Sequence, residues 1–96
     1  MHDYIIDLLK PLMPKKIESK KIRNDSDFLI LRERNKKILI LNPTAREIYE
    51  ICDGRTVGQI INAMSSVYPS IDRKKISVDV IRCLRDMERR ELLLMR

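Results

Sequence analysis

Tryptophan is absent from this 96-residue chain and phenylalanine occurs once, so the core has to be built from aliphatic side chains. Glycine occurs twice, at Gly54 and Gly58, which excludes a glycine-rich phosphate loop. The one histidine is His2, near a terminus where chains are usually loosely held, so no internal imidazole is on hand for acid–base work or to activate a thiol. The two cysteines, Cys52 and Cys83, lie on apolar stripes and lack metal-ligand spacing. They read as buried free thiols in a reducing, cytoplasmic setting. No apolar run approaches the roughly 20 residues of a membrane-spanning helix. The opening MHDYIIDLLKPLMP carries acids near its start and no basic n-region or small-residue cleavage site, which reads against a secretory signal. Carboxylates are scattered and mostly flanked by Lys or Arg, and Asp53 beside Gly54 is turn chemistry. These absences predict a binding module and no enzyme, with no catalytic residue, cofactor or metal.

What is present is charge. Net charge is +6 with 35% charged and 44% apolar residues. That composition suits one folded domain with a heavily charged surface. A chain of this length buries only about 60–65% of the surface its unfolded form exposes, so the core is small. A basic balance attracts acidic peptides, nucleic acid or anionic surfaces.

The pattern between Ile38 and Gly54, ILILNPTAREIYEICDG, organises the rest. Ile38-Leu39-Ile40-Leu41 is a strand. Asn42 is placed to cap a helix that starts at Pro43, where a missing N–H loses no partner. Ala45, Ile48, Tyr49 and Cys52 form one helical stripe, and Gly54 can take the left-handed conformation that closes it. Upstream, Tyr4, Ile5, Leu8, Leu9 and Leu12 predict a short amphipathic helix over 1–13, broken by Pro11 and Pro14. Its apolar face can pack on its own domain, on a partner or on a second copy. Acidic Asp3 and Asp7 argue against membrane contact. Residues 15–24 give a weak strand signal, Asn24–Asp27 a turn, Phe28–Leu31 a strand and Glu33–Lys36 a hairpin-length loop. Together they predict a three-stranded antiparallel meander over about 16–41.

Downstream, Thr56 caps a helix with the stripe Val57, Ile60, Ile61 and Met64, which stops near Tyr68-Pro69. Asp72 caps another with the stripe Ile76, Val80, Cys83, Leu84 and Met87, leaving Val78 and Ile81 outside its centre. Leu92-Leu93-Leu94 is a short extended piece or a last helical turn. The expected fold is α+β: a small winged helix-turn-helix domain with a leading meander and three helices, spanning 14–96, preceded by the 1–13 helix.

Two binding modes fit. In the first, the last helix reads DNA with Arg73, Lys74, Lys75, Arg82, Arg85, Arg89 and Arg90 around it. Asp79 and Asp86 interrupt that face, and it has no Asn or Gln to read adenine, so nucleic acid is the weaker partner. In the second, the 38–41 strand lies at a sheet edge and pairs with an extended peptide.

LNPTAREIYEICDGRTVGQII, Leu41 to Ile61, resembles the core motif of the PqqD-like family, with its Leu-Asn, Asp-Gly and Thr-Val elements. Tyr68-Pro69, Asp79-Val80, Cys83-Leu84 and Leu92-Leu93 fall at further matching places, and the resemblance covers about 16–94. It implies a RiPP recognition element of PQQ-type biosynthesis. Such a protein is a non-catalytic peptide chaperone that takes up the leader of a ribosomally made precursor as an added strand and presents it to a modifying enzyme, often a radical SAM protein. Carried onto this chain, the resemblance gives a peptide-binding strand of Ile38, Leu39, Ile40 and Leu41 and a groove lined by Val78, Ile81, Arg82 and Arg85. Arg90-Glu91 departs from the family pattern, which has a glycine near this point. The 1–13 helix lies outside the motif, and a homodimer through it is one of its open roles.

Overall fold

In a computed structural model the described residues are 1–18, 20–24, 29–32 and 38–96, with 20–24, 29–32 and Ile38 described by their backbone. The chain is a small α+β fold with four helices among the described residues. In order these are α1 (Asp3–Leu9), α2 (Pro43–Ile51), α3 (Val57–Val67) and α4 (Arg73–Arg89). A short two-stranded antiparallel sheet joins β1 (Pro14–Lys16) to β5 (Leu93–Met95), with Lys15 opposite Leu94. Backbone pairing also links β2 (Lys20–Asn24), β3 (Leu29–Arg32) and β4 (Ile38–Leu41) in that order, with Leu29 opposite Leu41 and Leu31 opposite Leu39. The turn expected after Asn24, Phe28, and the loop at 33–36 lie outside the described residues.

Local chemistry sets the starts of α2, α3 and α4 and the ends of α2 and α4. Asn42 Oδ1 accepts the Ala45 N–H at 2.8 Å, and Pro43 comes next as the first helical residue. Gly54 closes the segment after α2 at φ +77. Thr56 and Gln59 form a reciprocal capping box at α3. Asp72 caps α4 through the Lys75 N–H. The far end of α4 is a Schellman closure: the Glu91 N–H donates to the Glu88 carbonyl at 3.0 Å and the Leu92 N–H to the Met87 carbonyl at 2.9 Å. It is built on Glu91 at φ +62, the left-handed region that glycine favours.

The core is aliphatic as the composition requires. Ile48, Val57, Ile60, Ile61, Val80, Ile81, Leu84, Met87, Leu92 and Leu93 are almost wholly buried. Two expectations are corrected, and one open alternative is decided. Ile81, read as outside the core stripe, is 0% exposed. Helix α4 packs against α1, α2, α3 and β5, so its buried face is wider than the stripe a helix shows to one neighbour. In α1, Tyr4, Ile5 and Leu8 are exposed, and Ile6 is the side chain that enters the core. Leu92 to Leu94 take the extended alternative, because Leu93–Met95 completes β1.

Helix α1 is mounted through its tail. The first N–H groups of any α-helix have no partner within it. At α3 the Val57 N–H donates to the Leu12 carbonyl at 2.8 Å and the Gly58 N–H to the Lys10 carbonyl at 3.0 Å. The segment after α1 thus completes the start of α3.

Candidate functional site

Strand β4 stands last in the order β2-β3-β4, and among the described residues its one ladder partner is β3. A strand in that position presents a row of N–H and C=O groups to the outside. Its side chains alternate as a half-covered strand must: Leu39 is half-buried, Ile40 is 64% exposed and Leu41 is buried. The Asn42 cap and Pro43 turn the chain into α2 directly after it, so the strand is held rigidly at its C-terminal end.

The named residues separate into three groups. Leu41 and Ile81 are members of the core, and Leu39 and Val78 pack against that same cluster from its margin. Ile40, Arg82 and Arg85 are exposed, and no ion pair among the described residues holds either arginine. For Ile38 the backbone alone is described. Leu39, Ile40, Val78, Arg82 and Arg85 thus have solvent-accessible side chains, whereas Leu41 and Ile81 lie within the core.

A second feature was missed by sequence reasoning. A concavity of about 140 Å³ opens between α2, the end of α3 and the start of α4. It is lined by Thr44, Ile48, Met64, Tyr68, Ile71, Ile76, Asp79 and Val80. From α4 it takes Ile76, Asp79 and Val80, and neither Arg82 nor Arg85 is part of its lining. Its signal in the sequence was Tyr68-Pro69-Ser70-Ile71, an aromatic and an aliphatic inside a turn, where apolar residues are out of place unless they line something. Tyr68 donates its hydroxyl to Glu47 Oε2 at 3.0 Å. That bond favours the protonated phenol and, with some burial and the Glu47 charge, pushes its pKa up.

Both thiols are shifted toward the protonated form. Burial pushes Cys83 up to about 12, with the Asp86 and Cys52 charges adding to it. Burial also raises Cys52, against the opposing pull of Lys16. Lys16 itself lies 4.6 Å from the Tyr49 ring centroid. Among the described residues no group of three His, Cys, Asp or Glu side chains could hold a metal ion, and no helix is long and apolar enough to cross a membrane.

The family model described as coenzyme PQQ synthesis protein D (PqqD) matches residues 27–93, well over half of the chain. The chain belongs to the PqqD family. The match takes in β3, β4, α2, α3, α4 and the start of β5, and leaves out α1, β1 and β2. The edge strand and the concavity therefore lie within the part this PqqD-family chain shares with its relatives, and α1 lies outside it. None of the curated proteins and none of the solved structures compared with the chain matches it.

Proposed function

We propose that this PqqD-family chain is a non-catalytic peptide chaperone of PQQ-type biosynthesis. It captures the leader of a ribosomally made precursor by adding it as a strand to β4, and presents it to a modifying enzyme, a radical SAM protein in the form the family suggests. The observation that carries this reading is the position of β4 at the end of its ladder, with Ile40 exposed. Main-chain bonds along 38–41 supply affinity, and side chains beside α4 supply selectivity. On this reading β2, β3 and β4 are the sheet of a small winged helix-turn-helix domain over 14–96, with α2, α3 and α4 as its helices and α1 as an extension. The protein works in the cytoplasm.

Neighbouring residues of a strand point their N–H groups to opposite sides. Of Leu39 and Ile40, one donates toward β3 and the other toward the open edge. Leu39→Pro and Ile40→Pro, tested by calorimetric titration with a leader peptide encoded in a neighbouring reading frame, separate the two roles. One variant should stay folded and lose binding at least tenfold, and the other should lose stability. Two folded variants that bind as the parent chain does would exclude β4 as the docking edge.

DNA binding is the second reading, because Arg82 and Arg85 are exposed on α4 with no ion-pair partner among the described residues. Asp79 and Asp86 lie on the same helix, where they oppose phosphate, and salt dependence decides between the two.

A further inference from the structure

The concavity between α2, α3 and α4 has a floor of Ile48, Met64, Ile76 and Val80, all nearly buried, and an exposed lip at Ile71. Its size decides what it can hold. Drug-sized ligands and cofactors occupy pockets of roughly 300–1,000 Å³, whereas an aliphatic cavity of about 150 Å³ holds one benzene ring. At about 140 Å³ this one fits a single leucine- or phenylalanine-sized side chain. Two carboxylates stand at or beside its mouth although the whole chain carries +6. Asp79 stands in the lining, and Glu47 accepts the Tyr68 hydroxyl beside it. Among the described residues Lys75 pairs with Asp79 at 3.5 Å, and that pair is solvent-exposed and weak. The lining begins at Thr44, three residues beyond the end of β4.

We propose that this concavity is an anchor site for one large apolar side chain of the peptide that pairs with β4, and that Asp79 and Glu47 select a cationic residue next to that anchor. The site rests on the strand-addition reading for its biological ligand, but its chemistry can be tested without it. A blocked single amino acid cannot form a strand ladder.

The experiment tracks backbone amide shifts of the full chain during titration with N-acetyl-leucinamide and N-acetyl-alaninamide. Leucinamide should shift Thr44, Tyr68, Ile71 and Asp79 at millimolar concentration, and alaninamide should shift them severalfold less. Ile71→Ser changes only the exposed lip, so the fold is kept, and it should weaken leucinamide binding about threefold or more. N-acetyl-Leu-Lys-amide should bind about three- to tenfold tighter than N-acetyl-Leu-Glu-amide, and Asp79→Asn should narrow that gap. No leucinamide-specific shifts at these residues would overturn the anchor site. Equal binding of the Lys and Glu dipeptides would overturn the charge selection. Loss of peptide binding in a β4 proline variant with leucinamide binding intact would support both sites as separate contributors. Leucinamide binding with no peptide response to either proline variant would sink strand addition alone.

Discussion

At the residue scale, Glu91 is the clearest misfit. It occupies a left-handed position in a helix closure that glycine takes at little steric cost. Its N–H bond to Glu88 and the burial of Leu92 hold it there. Glu91→Gly should stabilise the chain by about 0.5–1 kcal/mol, strain relief offsetting the greater freedom of glycine when unfolded, and thermal unfolding measures it. Cys83 sets a pH limit. Its folded pKa of about 12 lies above the ordinary thiol value of 9.0, so the unfolded state loses its proton first. The stability due to the half-buried thiol is complete below 9.0 and is lost as pH rises toward 12. Urea midpoints should fall across that window, and Cys83→Ala should flatten the fall. Neither effect was legible beforehand: the resemblance marks Arg90-Glu91 only as a departure from a nearby glycine, and a sequence does not give the sign of φ at Glu91.

At the element scale, α1 keeps only part of its expected apolar stripe inward: Leu9 and Leu12 pack against the core, while Tyr4, Ile5 and Leu8 stay exposed. Tyr4, Ile5, Leu8, Leu9 and Leu12 make a plausible stripe by spacing, but the helix is short and is positioned by the segment just after it. The carbonyls of Lys10 and Leu12 bond the start of α3, Asp3 pairs with Lys74, and this orientation turns Ile6 inward. Removing residues 1–13 would strip one buried isoleucine and expose two helix N–H groups. The expected loss is about 3–5 kcal/mol from those contacts, seen as a marked drop in the thermal midpoint. An unchanged midpoint would mean that α1 is not part of the folding unit. By contrast α2, α3 and α4 begin at Asn42, Thr56 and Asp72 as local capping chemistry dictates, because a cap depends on residues within one turn.

At the scale of the whole molecule, net charge and edge geometry compete as explanations of binding. If strand pairing dominates, affinity for the leader peptide should change by less than about threefold between 50 and 200 mM salt, since backbone hydrogen bonds release few counterions. If the exposed arginines of α4 engage a duplex through 6–10 phosphates, affinity should fall by about 10³–10⁵ over that range. Fluorescence anisotropy with a labelled leader and a labelled duplex distinguishes the two.

The sequence alone settled what depends on near neighbours: the strand at Ile38–Leu41, the Asn42-Pro43 corner, the caps at Thr56 and Asp72, the Gly54 stop, and the motif that places the chain among PqqD proteins. Tertiary structure alone decided what depends on distant partners. It buried Ile81, left Ile40 on an outer edge, joined Leu93–Met95 to Pro14–Lys16, and assembled a concavity from three helices with two carboxylates at or beside its mouth. The physical reason is that capping and period act within a turn or two, whereas burial is a property of surfaces that meet only after the chain has closed on itself.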